Sequence, residues 1–135
     1  MGGSGHQHES LHGGTAVELG AHEFHLDITH DDSAGVLRAY VMDAHLQNFI
    51  RIPAKSFVLA ARLPSGEAAL TLEAVSSPTT GETVGDTSLF EVQTNALKRV
   101  AGFDAVLKEL TIRGKTYTNV AFFVDKSSDG EIAKP

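Results

Sequence analysis

Phe24, Leu26 and Ile28 alternate with Glu23, His25, Asp27 and Thr29, and this period of two constrains the chain more than any other feature. Successive side chains of a strand point to opposite faces, so residues 22–29 are expected to send the apolar set inward and the polar set outward. Residues 30–35, His-Asp-Asp-Ser-Ala-Gly, form a polar hairpin connection. Residues 36–43 return, with Leu37, Ala39 and Val41 on one face and Arg38, Tyr40 and Met42 on the other.

The same texture continues along the chain. Short apolar runs at residues 16–19, 48–52, 56–63, 69–75, 88–93, 106–112 and 116–124 are separated by turn residues, among them Pro53, residues 64–67 and residues 113–115. In residues 88–93 Leu89 is expected to be buried, with Phe90 as a second candidate. Residues 94–100 read as one or two helical turns, capped by Thr94 or Asn95 and ended by Gly102. The expectation is an all-β fold, a β-sandwich of about eight short antiparallel strands. One short helix near residues 95–101 would cross between sheets or cover an edge. Residues 1–13 read as a flexible His-bearing arm, residues 14–125 as a single domain and residues 126–135 as a polar tail.

Composition closes off several functions. The 135 residues carry a formal net charge of −6, and the basic cluster Lys108, Arg113 and Lys115 is interrupted by Glu109, so no nucleic-acid partner is expected. The chain has no Cys, which removes disulfides, thiolate zinc sites and thiol nucleophiles. No apolar run approaches the ~20 residues of a membrane span. Residues 1–5 contain no signal-peptide core. They read as the start of a mature lipoprotein whose lipidated Cys is replaced by Met1, or as residues left by cloning. No Gly-x-Ser-x-Gly elbow or phosphate-binding glycine motif occurs, and Asp31-Asp32 sits in a polar turn, so the chain is not expected to be an enzyme. Residues 81–87 read as a structured turn, and Phe49, Phe57, Phe90, Phe103, Phe122 and Phe123 as core.

The chemistry lies in the histidines. All seven fall within the first 45 residues: His6, His8, His12, His22, His25, His30 and His45. Imidazole is the commonest neutral nitrogen ligand for zinc and copper, and a one-sided distribution suits a metal-handling end. On a strand His22 and His25 would face opposite ways, whereas His25 would share a face with Glu23 and Asp27. Asp43 and His45 would share a face if their strand continued. The candidate metal ligands are therefore His6, His8, His12, His22, His25, His45 and Asp43, for Zn or Cu.

Residues 12–14, 17–20, 37–45, 81–88 and 110–115 resemble segments of small uncharacterised secreted or lipoprotein-type proteins of planctomycete and verrucomicrobial bacteria. The resemblance spans most of residues 12–125. It implies a periplasmic or membrane-anchored extracytoplasmic setting with a lipid anchor, close to heavy-metal efflux components. It carries no catalytic residue. The function expected is a metal-binding or metal-homeostasis accessory domain. The alternative is a metal-independent β-sandwich interaction module, binding a metal-efflux adaptor protein or another copy of itself.

Overall fold

Residues 14–125 are described by a computed structural model. The strands are β1 (Thr15–Leu19), β2 (Phe24–Asp31), β3 (Val36–Asp43), β4 (Ser56–Leu63), β5 (Gly66–Ala74), β6 (Leu89–Gln93), β7 (Gly102–Ile112) and β8 (Lys115–Asp125). Every pairing is antiparallel, and the order is β1-β2-β3-β6-β5-β4-β7-β8. The all-β class and its eight strands are thus as the alternation predicts. The layout differs from two separate sheets. The halves β1-β2-β3-β6 and β5-β4-β7-β8 are joined into one sheet by just two register pairs, Glu73 with Glu91 and Ala74 with Phe90.

This narrow junction lets the sheet curl almost into a barrel. The far edges approach where Asp125 donates its backbone N–H to Thr15 Oγ1 at 3.1 Å. Glu23 adds a second tie, accepting from Lys115 Nζ at 2.7 Å and Tyr117 Oη at 2.6 Å. The inner faces meet in one apolar core that includes Leu26 and Ile28 of β2, Leu37, Ala39 and Val41 of β3, Leu59 of β4, Leu72 of β5 and Phe90 of β6. Phe57 and Phe90, from opposite halves, lie with ring centroids 5.1 Å apart. Phe90 is therefore the inward residue of its strand, and Leu89 lies on the outer face, half-buried.

The expected helix is a single 3₁₀ turn, Asn95–Leu97, capped by Thr94, whose side chain accepts from Ala96 N at 3.3 Å. Arg99 has φ +63°, which breaks helical continuation, and Gly102 already belongs to β7. Leu97 from this turn is fully buried. The segment is fastened to the β2–β3 hairpin by Thr94 N to Gly35 O at 2.9 Å and Arg99 N to Asp32 O at 2.8 Å. Gly35 is required there: its φ is +71°, and a Cβ would press on the Thr94 carbonyl.

β7 changes parity midway. Phe103, Ala105 and Leu107 point inward, Lys108 and Glu109 are both exposed, and Leu110 and Ile112 then point inward. β8 answers with Asn119 at φ +52° opposite the switch. The β4–β7 ladder spans only Leu59–Arg62 against Leu107–Asp104, so the sheet splits beside residues 56–58 and 108–111 into a groove of about 590 Å³.

Candidate functional site

The outer face of the first half-sheet forms three cross-strand rows. Glu18, His25 and Met42 are register partners, and Met42 is bridged onward to Phe49. Ala16, Asp27, Tyr40 and Leu89 form the second row. Thr29, Arg38 and Glu91 form the third, where Arg38 Nη2 lies 3.5 Å from Glu91 Oε2. Directly opposed residues of an antiparallel pair hold their Cβ atoms about 4.5–5.5 Å apart, so each row is a line of neighbouring side chains.

This face should be solvated, because the core lies on its reverse. Instead His25, Asp27 and Met42 are each 0% exposed. Met42 is buried yet lies outside the main core cluster, as its outward parity requires. Tyr40 and Phe49 rings meet beside it at 5.9 Å. An imidazole, a carboxylate and a thioether are thus gathered on one face, away from water. The chain enters this sheet at Gly14, which passes so tightly over β2 that a Cβ would fall on the Ile28 carbonyl.

The other sequence candidates are dispersed. His22 is not in a strand: it has φ +63°, and its Nδ1 and backbone N–H both face Glu18 Oε2, at 3.2 and 2.9 Å. Glu23 leaves the expected trio with His25 and Asp27, because it too lies in the turn and reaches across to β8. Its carboxyl is held below the ordinary value by hydrogen bonds from Lys115 and then Tyr117, against burial that raises it. Burial, and then the facing Glu23 carboxylate, push the Tyr117 phenol up to about 12.

Asp43 and His45 do not share a strand face, because β3 ends at Asp43. The Asp43 carboxylate closes the following loop, accepting from His45 N at 3.2 Å, Gln47 N at 2.9 Å and Asn48 Nδ2 at 2.8 Å. Burial raises its pKa, but these donors outweigh that and hold it lowered. His45 itself is exposed. His30, expected in a loop, is the last inward residue of β2. Its Nε2 lies 3.3 Å from Leu97 O, and its ring meets Phe103 edge-on at 5.5 Å. His6, His8 and His12 lie outside the described residues. Among the described residues no group of three His, Cys, Asp or Glu side chains converges as a metal site.

Two features escape a reading of alternation. Met42 reads as a plain outward strand residue until its register with His25 is known. Glu82, in the polar loop, is only 7% exposed and accepts from Thr87 Oγ1 and Ser88 Oγ, both at 3.0 Å. Arg51 Nε lies 3.5 Å from the same carboxylate, and Arg51 also bonds Asp86 and the Thr80 carbonyl. This cluster makes residues 81–87 the structured turn their glycines suggested. Phe49 and Phe123, expected in the core, are 46% and 50% exposed.

No family model, no curated protein and no solved structure matches the chain. Among the described residues no helix is long and apolar enough to cross a membrane.

Proposed function

We propose that the chain is an extracytoplasmic metal-binding domain in which His25 and Asp27, joined by histidines of residues 1–13, hold a zinc or copper ion. The observation behind this reading is the complete burial of His25 and Asp27 on a sheet face turned away from the core. Imidazole and carboxylate are both metal-ligand types, and on one strand they share this face two residues apart. Reach supports the arm as the source of further ligands. Gly14 lies against Ile28 and Thr29, and a chain gains at most ~3.5 Å per residue. His12 and His8 stand two and six residues before Gly14 in sequence, contours of at most ~7 and ~21 Å. The extracytoplasmic setting, the lipid anchor and a role beside efflux components rest on the sequence resemblance.

The test is calorimetric titration of the full chain with Zn²⁺ and Cu²⁺, beside the His25→Leu variant and a chain beginning at Thr15. The expected result is one equivalent bound by the full chain and clear loss in both comparators. At a free metal concentration of 100 Kd, mass action adds about 2.7 kcal/mol of stability to the full chain. No binding by the full chain at micromolar concentrations refutes the proposal.

A second reading, the interaction module, is favoured by a different surface. On the outer face of β5, β4 and β7, Ala60, Ala69 and Val106 floor a shallow trough of about 410 Å³, rimmed by Arg62, Glu67 and Asp104. Metal indifference combined with self-association in sedimentation would support that reading.

A further inference from the structure

We propose that the metal is cuprous copper and that the Met42 thioether is one of its ligands. This inference rests on the metal-binding reading above and sharpens it to a metal and an oxidation state.

Met42 and His25 are direct register partners on adjacent antiparallel strands, with both side chains on the outer face. Both are 0% exposed, and Asp27, two residues along the same strand face, is also 0% exposed. A methionine whose task was core packing would belong on the inner face, where Val41 beside it lies fully buried in the core cluster. Met42 instead stands one residue out of phase with that core. It is held between His25 on one side and Phe49 on the other.

Thioether sulfur is a soft, neutral ligand that favours Cu(I), whereas Zn²⁺ is held by imidazole, carboxylate and thiolate. With no Cys in the chain, methionine is its only source of a soft donor, and Met42 and Met1 are the only two methionines. Imidazole and thioether are donor types that copper takes, and the thioether is the soft one that selects the monovalent ion. Tyr40 and Phe49, packed ring to ring at 5.9 Å, flank the pair. The two donors themselves are withdrawn from water, which disfavours a hydrated divalent ion.

The experiment uses the full chain under anaerobic conditions, with Cu(I) supplied as its acetonitrile complex and competed against bathocuproine disulfonate. Zn²⁺ affinity is measured in parallel for the wild type and Met42→Leu. Leu conserves volume closely enough for the fold to be retained, which circular dichroism checks. Outer-shell changes alone cost metal affinity roughly tenfold to a hundredfold, so loss of a ligand should weaken Cu(I) by at least roughly tenfold in Met42→Leu. Zn²⁺ affinity should be unchanged. Copper K-edge absorption should show a sulfur scatterer in the wild type and none in Met42→Leu, where Met1 remains as the internal control.

Equal Cu(I) affinity in the variant, or a sulfur signal that survives in it, overturns the assignment of Met42. If Zn²⁺ still binds in either case, the general metal-binding reading survives. If neither metal binds the wild type, both proposals fall together.

Discussion

Removing the Glu82 carboxylate should unfasten residues 76–88 and destabilise the whole sheet. This loop leads directly into β6, which carries half of the two-pair junction between the half-sheets. In the native chain Glu82 accepts from Thr87 Oγ1 and Ser88 Oγ at 3.0 Å each, with Arg51 Nε at 3.5 Å. Thr87 Oγ1 keeps a second partner in Glu82→Ala, the Val75 carbonyl at 2.8 Å. Ser88, 3% exposed, loses its acceptor in a place water reaches poorly. Hydrogen bonds to a charged group contribute about 1.5–3 kcal/mol each, so two at the lower end give a loss of about 3 kcal/mol. The Arg51 contact adds little, because its guanidinium is partly exposed and salt-screened. For a domain of this size the corresponding fall in Tm is about 10–15 °C. Glu82→Gln, which preserves shape and one acceptor oxygen, should lose about half as much. Urea denaturation with unchanged m-values measures both. A Glu82→Ala chain within about 0.5 kcal/mol of wild type would show that the buried carboxylate ties nothing together.

The barrel seam should be pH-sensitive at both ends of the scale. Glu23 has its folded pKa lowered below the ordinary 4.5, so its stabilising share is present above that pH and is lost as pH falls through the folded value. Tyr117 has its folded pKa raised from 10.0 to about 12, so its share is present below 10 and is lost as pH rises toward 12. Glu23→Gln should flatten the seam's share of both limbs in urea midpoints measured against pH, and unchanged limbs would contradict this. His30→Leu should alter stability by no more than about 1 kcal/mol, because the exchange is apolar and the partner carbonyl need not be orphaned. The Leu97 carbonyl keeps the Val100 N–H at 3.4 Å. His30→Leu should also leave metal affinity unchanged, and a loss in calorimetry would add His30 to the ligand set.

The first hairpin was readable because its inner face keeps strict period two: Leu26 and Ile28 against Val41 and Ala39. Residues 106–112 read only as apolar and mixed, and the parity switch at Lys108 and Glu109 is the reason. One extra outward residue destroys a local alternation while leaving the strand intact. The joining of the halves into one sheet was illegible for another reason. It depends on two long-range pairs at Glu73 and Ala74, which leave no local pattern. Of the site, His25 and Asp27 were correctly grouped by parity, but their burial was not foreseen. Alternation shows which residues share a face and not whether something lies over it. Glu23, Asp43 and His45 were misplaced together, because each sits just beyond a strand end or at its last residue, where the two-residue period stops applying.

The polar residues that the fold buries or half-buries include two kinds. Glu82, Asp43 and Glu23 each join one loop or strand end to another, and their hydrogen bonds display that structural task. His25 and Asp27 sit mid-strand, where backbone pairing to β1 and β3 already fixes the ladder on both sides. Valine or isoleucine at these positions would suit the strand better and avoid the desolvation that an imidazole and a carboxylate incur. Two residues of metal-ligand type therefore stand where the ladder itself requires neither. The equivalent outer face of the second half-sheet shows the ordinary alternative, with Ala69, Thr71, Glu73, Lys108 and Ala121 left exposed. Departures of this kind from the local pattern concentrate at functional sites. The same reasoning separates His25 from His22, His30 and His45, which occupy a turn, the core side of the sheet and an exposed loop.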